Sequence, residues 1–275
     1  MLRMNHHEYE QKPPERPRMH GIEDVIEEAL DTNTYWFKGE PGAKPGQFVM
    51  LWVPGAGQKP FGISYQEKGR FAVTVRKVGP FTEELFGMKA GDRVGIQGPY
   101  GRAFSCKGKR VALVGGGYGT APLGFLAEVM SAGGSKVFVS TGAASSRYLM
   151  FRERFRHAKI KAVFSTDDGS FGHRGFCTDC LTGLLETERI DRVYSCGPEA
   201  MLREVARICS EQGVDAEFSL ERYLKCGFGV CGSCSLDGTG WRVCKEGPVF
   251  TLQELGMITE FGKYKRDGSG RRMSI

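Results

Sequence analysis

Long apolar runs are missing from these 275 residues: none approaches the about eighteen that a membrane-spanning helix needs, which excludes a helical membrane protein. The opening stretch, MLRMNHHEYEQKPPERPRMH, lacks the apolar core of a secretory signal and reads as a disordered leader rich in proline and charge. Histidine is scarce, and four of the five (His6, His7, His20 and His173) fall near the terminus or in loops, with no ligand spacing. Basic and aromatic residues do not alternate as they do on a nucleic-acid surface, so neither membrane nor nucleic acid is an expected partner. The net charge of +6 is uneven: Lys263, Lys265, Arg266, Arg271 and Arg272 stand against Asp267 alone in a basic tail, which reads as a solvated end or as a contact for an acidic protein face. Cysteine, in contrast, is plentiful. Nine thiols without a signal segment point to a reducing, cytoplasmic setting and to metal or redox use, not to a disulfide framework.

Four of the nine lie close together: Cys226, Cys231, Cys234 and Cys244, in LKCGFGVCGSCSLDGTGWRVC. The C-x4-C-x2-C spacing is that of a plant-type [2Fe–2S] loop, and the fourth thiolate completes the set. Gly227, Gly229 and Gly232 lie between the ligands, where a tightly wound chain needs positive φ and free N–H groups facing sulfur. A zinc site is the competing reading, although zinc ligands usually come as two short pairs separated by a longer stretch.

Local texture changes twice along the chain. From about 18 to 106, short β-like runs (QFVMLWV, FAVTVRKVG, DRVGIQGPYG) between Gly/Pro turns predict an antiparallel barrel or sandwich. From 107 to 217, apolar strands alternate with amphipathic helices, which predicts a parallel sheet with right-handed crossovers. From 218 to 255 periodicity vanishes into the cysteine-rich segment, too short for its own core and expected to be held by metal coordination. Residues 256–275 form the basic tail and 1–17 the leader. The fold class is therefore multi-domain, β plus α/β, with a small C-terminal cluster segment.

Within the second region, Val111–Val114 run into Gly115, Gly116, Gly117, Tyr118, Gly119 and Thr120 before a helix carrying Pro122 in its first turn. Glycines here admit a close ligand, and the helix start offers N–H groups to phosphate; the plainer reading is a tight strand–helix turn. No acidic residue follows the second strand to hold a ribose. Ser145, Ser146 and Arg147 stand there instead, so NADH and NADPH both remain open. Cys196, Gly197 and Pro198 form a turn at the sheet's C-terminal edge, where Cys196 either faces a nicotinamide or is simply buried. Cys177 and Cys180 form a C-x-x-C pair, either a redox dithiol or two core residues. Cys106 and Cys209 have no assigned role.

Taken together, SLERYLKCG through Cys234 with VCKEGPVF (219–250), GGGYGTAPL (115–123), TDDGSFG (166–172) and CGPEAM (196–201) resemble the ferredoxin–NAD(P)+ reductase superfamily. Within it they are most similar to the electron-transfer subunits of type B dihydroorotate dehydrogenases. The resemblance covers residues 20 to 255 and implies an FAD-binding β-barrel, an NAD-binding α/β domain and a [2Fe–2S] segment. It places flavin on Lys59, Pro60, Phe61 and Gly62, on Thr74, Val75 and Arg76, and on Phe81 and Thr82 of the turn starting at Gly79. NAD falls on Gly115, Gly116, Gly117, Gly119, Thr120, Cys196, Gly197 and Pro198. Two residues depart from the family's Arg-Pro-x-Ser: Lys59 keeps a charge but loses the guanidinium fork, and Gly62 removes a hydroxyl that Ser64 is placed to replace. The implied activity is a relay from NADH through FAD and the cluster, in the physiological direction towards NAD+, with no general base on this chain. The implied partner is an FMN-containing catalytic subunit that oxidises dihydroorotate in pyrimidine biosynthesis, assembled as a heterotetramer. A reductase subunit serving a hydrogenase, or a ferredoxin:NADP+ reductase, is the alternative.

Overall fold

A computed structural model describes residues 16–275, so the expected leader lies almost wholly outside the described residues. Six strands close into an antiparallel barrel: β1 (Arg18–Ala29), β2 (Thr32–Lys38), β3 (Phe48–Val53), β4 (Gly57–Glu67), β5 (Arg70–Arg76) and β6 (Arg93–Tyr100), in spatial order β1-β2-β5-β4-β3-β6. A short helix, α1 (Pro80–Phe86), follows β5. Period-two alternation decides what each residue faces. Tyr35, Phe37, Ile63, Val73 and Val75 fill the barrel, whereas Thr34, Trp36, Thr74 and Gly62 point outward.

The second region is a doubly covered sheet. Its strands are β7 (Arg110–Gly116), β8 (Lys136–Ala143), β9 (Lys161–Thr166), the two-residue β10 (His173–Arg174), β11 (Arg192–Cys196) and β12 (Asp215–Ser219), all parallel. Four helices cross between them: α2 (Thr120–Ala132), α3 (Arg152–His157), α4 (Cys177–Thr187) and α5 (Glu199–Gln212). Apolar residues recur on one side of α5 at Leu202, Val205, Ala206 and Cys209, which is why it packs flat on the sheet and why Cys209 is simply core. β7 lies centrally with β8 on one side and β11 on the other. The strand order therefore reverses beside it, where parallel sheets bind ligands.

The C-terminal segment is less independent than its length suggests. It supplies β13 (Val249–Thr251), antiparallel to β12, as the last strand of the same sheet, followed by α6 (Leu252–Leu255). Leu220, Leu224, Leu236, Val243 and Phe250 share one core with Phe48, Met50 and Tyr100 of the barrel and with α5. Hydrophobic burial thus holds the segment from both sides, so coordination is not its sole support.

The basic tail neither hangs free nor lies shapeless. Its strands β14 (Tyr264–Arg266) and β15 (Arg272–Ser274) make an antiparallel hairpin folded onto the cysteine-rich segment. Asp237 anchors it, accepting from Tyr264 Oη at 2.7 Å and Arg266 Nη2 at 2.7 Å. Among the described residues no helix is long and apolar enough to cross a membrane.

Candidate flavin cavity and cluster loop

A cavity of about 610 Å³ opens where the barrel, the sheet edge and the C-terminal segment meet. Lys59, Pro60, Phe61 and Gly62 of β4, Thr74 and Arg76 of β5, and Val78 to Thr82 make its barrel wall. Tyr118, Gly119, Ala121 and Pro122 form the opposite wall, with Cys196 at the end of β11 and the run Ser219–Leu224 closing the third side. Phe61 and Phe81 stack with ring centroids 6.0 Å apart, giving the barrel wall a flat apolar patch. Lys59 Nζ lies 5.1 Å from the Tyr223 ring, and Arg76 Nε donates to Asp31 at 2.8 Å on the rim.

The residues expected to bind flavin separate into two kinds. Lys59, Pro60, Phe61, Gly62, Thr74, Arg76, Phe81 and Thr82 all line the cavity. Val75 does not, because alternation turns its side chain into the barrel core. Thr82 shapes the wall more than it offers a free hydroxyl. Its Oγ1 accepts from the N–H groups of Val78 and Gly79 and donates to the Gly79 carbonyl, all within 3.0 Å. Ser64 shares Gly62's outward face, yet its hydroxyl donates to the Ala72 carbonyl and accepts from Thr74, and it lies outside the cavity wall. It therefore does not take the place of the hydroxyl missing at Gly62. A Cβ at Gly62 would lie nearest Pro122, at 3.5 Å, an ordinary contact.

On the nucleotide side, the glycines also differ. A Cβ on Gly115 would strike Thr120, one on Gly116 would strike Met201 and Pro198 at 2.7 Å, and one on Gly119 would strike the Cys196 carbonyl and Gly197 Cα at 2.6 Å. Gly116 and Gly119 let the β7–α2 turn press against the Cys196-Gly197-Pro198 turn, while Gly115 makes room for Thr120 within its own turn. Gly117 is different: its φ is +54° and nothing lies within 4 Å of its absent Cβ, so it borders open space. Thr120 is buried, its Oγ1 2.6 Å from Thr141 Oγ1. Gly197 and Pro198 stand behind Cys196 without lining the cavity. Cys196 is a buried thiol whose pKa burial pushes well up, so it is a neutral wall residue with no thiolate character. Burial likewise pushes Cys177 up to about 12 and Cys180 in the same direction, opposite to a reactive dithiol.

Two residues escaped the sequence reading. Tyr118, just after the glycines, donates its hydroxyl to Glu221 Oε2 across the cavity, and both side chains line it. Glu221 is exposed to the open cavity, and the protein atoms crowding around that cavity push its carboxyl above the usual range. Its position in the Ser-Leu-Glu-Arg run ahead of the first cysteine was the available signal. Arg222 next to it is held by Glu199 and Glu260 at 2.6 Å each, a buried triad joining α5, the cysteine-rich segment and the approach to the hairpin.

The four cysteines stand as two pairs. Cys234 and Cys244 are buried with sulfurs 3.4 Å apart, while Cys226 Sγ lies 3.5 Å from the Cys231 N–H in the neighbouring pair. Two irons with two thiolates each match this layout better than one tetrahedral ion needing four sulfurs around a point. The local electrostatics favour a thiolate at Cys231 and at one member of the Cys234–Cys244 pair. Against the upward push of burial, contacts from Ser233 and Cys226 bring Cys231 down to about 6. Sharing a proton with Cys244 brings Cys234 to about 7 and pushes Cys244 up. Gly227, Gly229 and Gly232 have φ of +82°, +86° and +70°, and Arg242 Nη1 holds the Gly229 carbonyl at 2.6 Å while its other nitrogens grip Glu246. Donor set and backbone both fit a [2Fe–2S] cluster. Leu224 and Val243, each in the cavity wall, precede Cys226 and Cys244 by two residues and one.

Comparison with known proteins agrees with this division. Residues 221–256 match the model of the iron–sulfur cluster binding domain of dihydroorotate dehydrogenase B. A Methanocaldococcus jannaschii protein named as a probable dihydroorotate dehydrogenase B (NAD(+)), electron transfer subunit, is 42% identical over 259 residues, covering 94% of this chain and 99% of that one. A Methanothermobacter thermautotrophicus protein of the same name is 42% identical over 261 residues, covering 94% and 97%. Among solved structures, the NADH-dependent reduced ferredoxin-NADP oxidoreductase superposes with a TM-score of 0.78 at 27% identity, over 89% of this chain and 94% of that one. The chain belongs to the family of dihydroorotate dehydrogenase B electron transfer subunits.

Proposed function

We propose that this chain relays electrons between a nicotinamide nucleotide and a catalytic partner subunit, through FAD in the cavity and a [2Fe–2S] cluster on Cys226, Cys231, Cys234 and Cys244. The observation that carries this reading is the shared wall: Leu224 and Val243 bound the cavity and sit next to cluster cysteines. Bound flavin supplies the exchange between a two-electron hydride and single electrons. The chain's own residues bind and orient. Phe61 and Phe81 offer apolar faces, Lys59 and Arg76 supply positive charge at the rim, and the N–H groups near Thr82 lie on the same wall. Gly117 and the neutral Cys196 mark the nicotinamide approach, with Tyr118 and Glu221 bracing it. Val75, Gly115, Gly116, Gly119, Thr120, Gly197 and Pro198 serve by backbone or packing.

The partner in this reading is an FMN-containing subunit that oxidises dihydroorotate, in a cytoplasmic heterotetramer of two of each. The second reading, an NADPH-linked reductase, is favoured by Arg147 beside Ser145 and Ser146 at the end of β8. An anaerobic absorption spectrum, taken before and after NADH and then NADPH, tests both. Flavin and iron–sulfur bands bleached by NADH are the expected outcome. Bleaching by NADPH alone supports the second reading, and a colourless, zinc-containing protein overturns both.

A further inference from the structure

The β14–β15 hairpin reaches the cavity. Three sets of contacts fix it along its length. At its base, the Gly262 N–H donates to Glu199 Oε1 at 2.8 Å and the Gly262 carbonyl accepts from Arg203 Nη1 at 3.1 Å, both partners being on α5. Midway, Asp237 of the cysteine-rich segment holds Tyr264 and Arg266 of β14. The turn between β14 and β15 is organised around Asp267. Its Oδ1 accepts from the Ser269 N–H at 2.9 Å, the Ser269 hydroxyl at 2.6 Å and the Arg271 N–H at 3.1 Å. Gly268 sits inside this turn.

Gly268 meets the cavity wall. A Cβ on it would stand 2.8 Å from Cζ of Tyr223 and 3.0 Å from its Oη, too close for a side chain. Its φ lies outside the left-handed region, so the Tyr223 ring, not the backbone, excludes a larger residue here. Tyr223 needs such a neighbour. Arg222 before it is locked between Glu199 and Glu260, and Leu224 after it is buried in the shared core. Tyr223 itself is 36% exposed and lines the cavity beside Lys59. A ring open on one side keeps several rotamers unless something packs against it, and the bare backbone at Gly268 does so. The hairpin also comes within electrostatic reach of the same wall. Crowding pushes the Glu221 carboxyl up, and the Tyr118 contact and then the charge of Lys265 on β14 oppose it.

We propose that the C-terminal hairpin is part of the flavin site: its Gly268 turn seats the Tyr223 ring as the cavity's third wall and thereby sets how tightly flavin is held. This rests on reading the cavity as a flavin site. Gly268 is a positioning residue that acts through Tyr223. Held in place beforehand, the ring costs no ordering when a planar cofactor enters; displaced, it leaves the cofactor short of a wall.

Equilibrium release of FAD from the loaded full-length protein, followed by the return of free-flavin fluorescence, provides the test. Gly268→Ala adds one methyl against the ring and should raise the Kd for FAD about tenfold, the scale of a modest overpacking. The visible circular dichroism of the flavin that stays bound should change with it. Asp267→Ala loosens the turn without adding an atom and should move both readouts the same way, more weakly. Coupling identifies the route: in a Tyr223→Ala background, Gly268→Ala should change the Kd by no more than about twofold, because its effect passes through the missing ring. The proposal is overturned if Gly268→Ala holds FAD as wild type does, or if it weakens binding equally with and without the Tyr223 ring. Wild-type protein that takes up no FAD sinks the cavity reading instead. Thermal midpoints of the same proteins then still decide the hairpin contact. The loss caused by Gly268→Ala should vanish in Tyr223→Ala, and a loss that persists there overturns the seating of the ring.

Discussion

The cluster loop and the flavin cavity are neighbours built in opposite ways. All four cluster cysteines come from one run of nineteen residues, and the turns between them depend on local glycines with positive φ. The cavity draws its walls from β4, β5, the β7–α2 turn, the end of β11 and the segment after β12, spread over most of the chain. The comparison teaches that a metal site with short ligand spacings is written locally, whereas a large planar cofactor needs a cleft that only packed domains can supply. The two meet at residues 220–224, which wall the cavity and whose Leu220 and Leu224 share a core with the barrel.

The sharpest way to break this comparison is to remove one ligand. Cys231 is exposed and outside the core, so Cys231→Ser should abolish the iron–sulfur absorbance and lower iron content to near zero while flavin stays bound; loss of both chromophores would show that the sites are not separable. A smaller effect comes from the shared segment. Arg222→Leu strands the buried carboxylates of Glu199 and Glu260 and should cost about 3–5 kcal/mol in denaturant unfolding. Flavin should be lost before iron, because Arg222 itself lines the cavity. The glycine turn gives the smallest pair. Gly119→Ala forces a Cβ onto backbone at 2.6 Å and should raise the KM for NADH at least tenfold by parting the two turns. Gly117→Ala meets no atom and carries only the left-handed backbone cost of about 1–2 kcal/mol, seen as a lower thermal midpoint with a modest KM change. Equal effects at the two positions would erase the distinction between packing and ligand-facing glycines.

Much of this architecture was legible in the residues. The change from strand texture to alternating strand and helix near residue 107 matches the gap between β6 and β7, because period-two and period-3.6 patterns report burial directly. The C-terminal segment reads from sequence as held by metal coordination, whereas the structure also holds it by apolar packing. Its apolar residues Leu220, Leu224 and Phe250 are too few to form a core in isolation, and nothing local shows that the barrel and α5 supply the rest. The tail looked like a solvated run of charge because its anchor, Asp237, lies about thirty residues upstream of Arg266.

By itself the sequence determined the spacing of the four candidate sulfur ligands, the positions needing positive φ between them, and the strand and helix periodicities, all consequences of contacts within a few residues. Tertiary structure alone decided that Thr74 faces the cavity while Val75 fills the barrel, and that Ser64 is engaged by Thr74. It also decided that Tyr118 reaches Glu221 and that the hairpin turn meets Tyr223. Each of these depends on strands or turns brought together across the fold. Hydrogen bonds and van der Waals contacts act over a few ångströms, so the chain must fold before distant residues can choose their partners.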